Sequence, residues 1–211
     1  MRLSSIVWIA LLIWVLEVLF VAVLVRDDWL IANIDEENRQ QQSYFGALTA
    51  QYLYDEADTT FDNVFVATGI KDLSYRLFVP TREETDNTHY MQGIGEPAFR
   101  RIYQTLVTFW TAVYQVVIRA HTIGLWAPFM LLILVPSVVD GMSMRAVKKA
   151  THTPTKVVRN RYGVYLVLLG LYVILLSLFS PFPVGPVTYF AIMAGISLTI
   201  SMILANLHKT A

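Results

Sequence analysis

No cysteine occurs among the 211 residues, which excludes disulfides, thiol nucleophiles and cysteine metal sites. Any part outside the cytoplasm must therefore hold together by packing alone. Charge is scarce as well. Only 15% of residues are Asp, Glu, Lys or Arg, 55% are hydrophobic, and the mean hydropathy is +0.51. A soluble domain of this size has a smaller apolar share. Phosphate loops, nucleophile–base pairs and metalloprotease motifs are missing. The four histidines, His89, His121, His152 and His208, are scattered along the chain. These absences argue against an enzyme, and no cofactor or metal site is expected. The acidic groups at 35–37, 55–58 and 83–86 do not follow the calcium-loop pattern D-x-D-x-D-G. They read as a solvated acidic face.

Long apolar runs are what the sequence does have. Residues 6–25, IVWIALLIWVLEVLFVAVLV, contain one charge in twenty positions. A helix rising about 1.5 Å per residue would cover roughly 30 Å, the thickness of a bilayer core. The run exceeds the usual h-region of a secretory signal, and no A-x-A-like site follows it, so an uncleaved signal-anchor is expected. Further spans are expected at 122–141, 163–181 and 187–207. Pro128 and Pro136 predict kinks or local unwinding in the second. The segment 181–186, PFPVGP, is a tight hairpin between the third and fourth. On the fourth, Ala194, Ser197, Ser201 and Ala205 form a small-residue stripe. Small residues let backbones approach, so the stripe is a packing surface for the third helix or for another subunit.

Glu17 lies within the first span. An ionised carboxylate there is costly. One reading is a protonated side chain bonded to a neighbouring helix, with Tyr172, Ser197 or a second protomer as candidate partners. The other is a proton or ion relay, which generally needs further acids or histidines at matching depth.

Residues 27–58 contain no proline and one glycine. Trp29, Ile34, Tyr44, Phe45, Leu48, Tyr52 and Leu53 recur loosely at helical spacing. A further short helix is expected over 60–78, capped by 58–61 and ended by Pro80. Residues 81–95 read as a polar loop. Glu96-Pro97 opens a new helix. On it, Gln104, Thr108, Thr111, Gln115 and Arg119 make a narrow polar stripe. Only three residues separate this segment from the second span, so it should run straight into it. It either packs on the extramembrane domain or lies at the interface, where Trp110, Tyr114 and Trp126 would suit; the alternative is that the polar stripe faces a partner helix.

The charges give an orientation. Residues 26–101 hold fourteen of the sixteen acids and seven bases, a net charge of −7. The loop 142–162 holds Arg145, Lys148, Lys149, Lys156, Arg159 and Arg161 and no acid. The positive-inside rule places that loop in the cytoplasm. Four spans then place both basic termini there too, and the acidic region outside. The expected architecture is an all-α membrane protein with four transmembrane helices. Residues 1–25 form the N-terminus and first span, 26–121 a mostly helical periplasmic domain, and 122–211 the remaining spans. A bacterial inner membrane is the simplest setting.

The segment LLILVPSVVDGMSMRAVKKA, followed by a basic stretch and an apolar hairpin, resembles a family of inner-membrane proteins encoded in integrating conjugative elements and conjugative plasmids. The likeness covers about the last 95 residues. This chain has THTPTKVVRNRYG where that family's pattern has a Glu-Ser and a Tyr-His pair. The resemblance implies a part in conjugative DNA transfer, as a non-enzymatic partner of the coupling ATPase of a type IV secretion system. Under it, Asp140 would pair with Arg159 or Arg161, or simply face solvent, and Gly141 would relax the backbone after it. The six cations of 142–162 would meet anionic lipid, an acidic face of the ATPase or, as a third reading, DNA phosphate. No fold for reading DNA is present, which argues against direct nucleic-acid binding. A homo-oligomer is left open. A transporter or channel subunit using Glu17, and a periplasmic sensing or exclusion protein, are the competing functions. The lack of an internal repeat weighs against transport.

Overall fold

The computed structural model describes residues 3–79, 95–151 and 157–207, with side chains over 7–79, 99–151 and 162–207. The expected loop 81–95, apart from Gly95, falls outside these residues, as do Lys156 and the side chains of Arg159 and Arg161. Among the described residues every regular element is helical. The elements are α1 (Leu3–Leu24), α2 (Asp27–Phe45), α3 (Ala47–Phe61), a π-helical turn (Asp62–Val66), α4 (Ile70–Phe78), α5 (Gly95–Ala150), α6 (Val157–Phe179) and α7 (Pro186–Leu204). Helices α1, α5, α6 and α7 are each long and apolar enough to cross a membrane.

Two compact units divide the chain. The first comprises Met1–His121 with Leu178–Val184, the second Thr122–Ser177 with Gly185–Ala211. In the first unit, α1 stops at Leu24 and α2 begins at Asp27, so the first span and the polar region are separate helices. Asp27 and Asp28 occupy the first turn of α2, where carboxylates favour the positive end of the helix dipole. Gly46 separates α2 from α3 at φ 83°, a conformation that side-chain-bearing residues rarely adopt. No cap forms at 58–61, because α3 runs through Phe61 into the π turn. The break comes later, at Gly69 with φ 76°. Helix α4 ends at Phe78, and Val79 is extended at φ −114° and ψ 110°, as a residue preceding proline prefers.

The buried face of α2 is polar: Leu30 is joined by Asn33, Glu37 and Gln41. Tyr44, Leu48 and Tyr52, part of the expected apolar recurrence, are instead exposed. On α3 the core side chains are Ala50, Leu53, Ala57 and Phe61. The first half of α5 packs here. Trp110 is buried, with Phe61 and Phe65 edge-on at centroid distances of 6.1 and 5.5 Å, an arrangement aromatic quadrupoles favour. Its indole donates to Ser74 Oγ at 3.0 Å. Tyr114 stacks edge-on against Phe61 and donates to Asp58 Oδ1 at 2.5 Å. Residues 103–114 thus pack on α3, the π turn and α4.

In the second unit α5 continues through Pro128 and Pro136 as helix, without the unwinding expected there. Helical turns also enter the basic stretch from both sides, since α5 reaches Ala150 and α6 starts at Val157.

Candidate functional site

The Arg119 end of the polar stripe of α5 meets the segment 178–184, which joins the end of α6 to the hairpin, all within the first unit. Pro181 and Pro183 lack backbone N–H groups, so the hairpin cannot satisfy its carbonyls internally. The end of α6 adds further carbonyls with no helical partner. Side chains from α2 and α5 supply the donors. Arg119 Nη1 donates to the carbonyls of Leu178 and Ser180, both at 2.9 Å. Its Nη2 donates to Phe182 O at 2.8 Å and to Glu37 Oε1 at 2.6 Å. Its Nε donates to Glu37 Oε1 at 3.0 Å and Oε2 at 3.3 Å. All five guanidinium N–H donors are thereby used.

Glu37 is held as firmly. Its Oε1 also accepts from Gln115 Nε2 at 3.2 Å and from the backbone N–H of Val184 at 2.9 Å. From α2, Trp29 Nε1 donates to Pro181 O at 2.7 Å, and Asn33 Nδ2 donates to the same oxygen. Both partners of the ion pair are 1% exposed. Charge-assisted bonds in such a setting are short and directional. Removing either partner strands a buried charge, at a cost of about 3–5 kcal/mol. Nearby, Tyr54 donates to Ile34 O at 3.2 Å. Burial, and then the Glu37 carboxylate, push its phenol above the usual range.

These groups clamp the segment 178–184. Arginine stays protonated and cannot shuttle protons, and every donor is committed to a fixed acceptor. Glu37 thus leaves the acidic group 35–37 that reads as solvated, whereas Asp35 remains exposed. A signal for the clamp does exist in the sequence. An arginine ending a polar stripe on an apolar helix needs a carboxylate, but the choice of Glu37 is tertiary.

In the second unit the Val-Asp-Gly segment is a helix contact. A Cβ on Gly141 would lie 2.7 Å from Ser201 O, 2.8 Å from Leu204 Cβ and 3.0 Å from Ser201 Cα. Gly141 therefore lets α5 and α7 approach backbone to backbone; it sits inside α5 instead of relaxing the chain after Asp140. Asp140 Oδ2 accepts from Ser201 Oγ at 2.9 Å. The expected pairing with Arg159 or Arg161 falls outside the described side chains. Helices α6 and α7 meet similarly. A Cβ on Gly163 would come within 2.7 Å of Ile203 Cγ1, and one on Gly170 within 2.8 Å of Ile196 Cγ1.

The small-residue stripe is distributed over these contacts. Ser197 and Ala205 are buried, Ser201 faces Gly141, and Ala194 is half-buried. The basic residues diverge. Lys148 Nζ donates to Ala205 O at 3.1 Å and Asn206 Oδ1 at 2.9 Å, capping the end of α7. Arg145 and Lys149 are exposed on the last turns of α5. Glu17 is half-buried on α1, and its Oε2 meets no hydrogen-bond donor among the described residues. Among those residues no group of His, Asp or Glu is arranged to hold a metal ion.

Residues 30–207 match the family model described as IncC plasmid conjugative DNA transfer protein DtrJ-like. The chain belongs to this DtrJ-like family, whose process is conjugative DNA transfer. No curated protein and no solved structure matches it.

Proposed function

We propose that this DtrJ-like chain is a non-enzymatic inner-membrane component of a conjugative apparatus, which anchors or assists the coupling ATPase of its type IV secretion system. The family match across 30–207 carries this reading. Four helices of spanning length and the segregated charges support the membrane placement. In it, both termini and the basic stretch are cytoplasmic and 26–121 is periplasmic. In the first unit Arg119, Glu37, Trp29 and Asn33 are committed to holding the segment 178–184, a structural role that suits a scaffold. The exposed cations Arg145 and Lys149 offer an acidic cytoplasmic partner a point of attachment, while Lys148 holds α7.

Affinity capture of the tagged chain from membranes, with and without the coupling ATPase, tests the proposal. A stable complex that weakens when Arg145 and Lys149 are both replaced by Gln is expected, with a matching drop in transfer frequency. Recovery of the chain alone in mild detergent, together with proton flux in liposomes that is lost in Glu17→Gln, would overturn it in favour of transport.

A further inference from the structure

We propose that the groove at the Leu24 end of α1 binds one zwitterionic phospholipid. The groove lies within the first unit, between the α1–α2 junction and the early turns of α5, and has a volume of about 480 Å³. Its walls are part apolar and part charged or polar. Val23 and Leu24, both exposed, continue the apolar surface of α1 into it. Arg26, Asp28, Arg101 and Tyr103 line the other part.

This inference rests on the reading of α1 as a span. A helix of 22 residues covers roughly 33 Å at about 1.5 Å per residue, the full hydrocarbon thickness. Its last turn then stands where acyl chains give way to headgroups. Arg26 and Tyr103 have the chemistry of that depth.

The charges select the headgroup. Two arginines, Arg26 and Arg101, and two carboxylates, Asp27 and Asp28, are among the residues that line the groove. That balance suits a ligand with one phosphate and one ammonium. An anionic headgroup would leave both carboxylates beside a negative charge. Asp27 is fixed by Thr111, which donates to its Oδ1 at 2.6 Å. Arg26 and Asp28 pair at 2.8 Å, but their side chains are 84% and 79% exposed. A solvated pair of this kind is worth little and opens readily to a phosphate and an ammonium. Arg101 is exposed and forms no ion pair among the described residues. Its guanidinium is the natural phosphate ligand. The acyl chains would lie along Val23 and Leu24.

Full-length protein extracted from membranes containing phosphatidylethanolamine and phosphatidylglycerol, washed in mild detergent and weighed by native mass spectrometry, tests this. One phosphatidylethanolamine retained per chain is expected. Arg101→Gln should weaken retention about tenfold, as the loss of one charge-assisted bond implies, and Arg101→Lys should restore much of it. A photo-crosslinker at Tyr103 should form a lipid adduct in the otherwise unaltered chain. Equal retention in Arg101→Gln, exclusive retention of phosphatidylglycerol, or no lipid adduct at position 103 would each overturn the proposal. Alkaline carbonate separates it from its premise. Release of the protein from membranes would remove the spanning reading, whereas an integral protein without bound lipid would remove only the groove.

Discussion

The two units are held together by different means. The first relies on a buried ion pair, a set of bonds to hairpin carbonyls, and an aromatic cluster of Phe61, Phe65, Trp110 and Tyr114. The second relies on glycines at helix contacts and on a few polar bonds, such as Ser201 to Asp140. On the reading of 26–121 as extramembrane and of α5, α6 and α7 as spans, the contrast follows the solvent each would meet, with α1, a span within the first unit, as the exception. Burying aromatic surface from water is strongly favourable. Between helices in lipid that drive vanishes, and close backbone approach takes its place. Glycine is thus a packing residue in one unit, at Gly141, and a turn residue in the other, at Gly46 and Gly69.

If the two units answer to different solvents, the largest expected effect is an all-or-none one. A periplasm-dependent reporter fused near Asn87 should be active and one fused near Thr153 silent. The opposite pattern would sink the topology, and two silent reporters would break the comparison.

Next in size is the clamp. Arg119→Ala should destabilise the protein by about 3–5 kcal/mol, since Glu37 is left buried without its cation. Thermal unfolding in detergent, followed by tryptophan fluorescence, measures this. Replacing Arg119 and Glu37 together with Met should cost less than Arg119→Ala, because no charge is then stranded. A double variant that is worse than the single would show that the hairpin bonds, and not the ion pair, dominate.

The glycine series is smaller and graded. Gly141→Ala meets backbone atoms of Ser201 and should cost about 1–3 kcal/mol, the usual penalty for overpacking. Gly163→Ala and Gly170→Ala meet Cγ1 and Cδ1 of isoleucine side chains, which can shift further than backbone, so they should cost less. Gly195→Ala has nothing within 4 Å and should be neutral, or stabilising by up to about 1 kcal/mol through helix propensity. Equal effects at all four positions would mean that close approach does not organise the second unit.

Smallest is Asp140. Asp140→Ala should cost about 1 kcal/mol, one hydrogen bond's worth. Asp140→Asn keeps an acceptor for Ser201 and should assemble and support transfer normally. A severe defect in Asp140→Asn would point to a charged partner such as Arg159 or Arg161.

The legible and illegible parts of the fold divide along physical lines. Apolar runs, the hairpin prolines and the continuity of 98–119 with the next span can be read because they depend on local composition and chain length. The buried face of α2 cannot. Its buried positions are polar except for Leu30, so an apolar periodicity points to Tyr44, Leu48 and Tyr52 instead, which are exposed. The cap expected at 58–61 fails for a related reason. Asp58 and Thr60 bond to Tyr114 and His121 on α5, partners far away in sequence.

By itself the sequence determined an all-helical chain with four apolar segments of spanning length, segregated charge and a Val-Asp-Gly segment resembling a conjugative family. Each depends on composition or short-range order. Tertiary structure alone decided which of sixteen acids neutralises Arg119, which glycine marks a helix contact, and which cation, Lys148, is bound to α7. Those choices depend on which distant groups meet in space, and a buried charge takes the partner that geometry brings within reach.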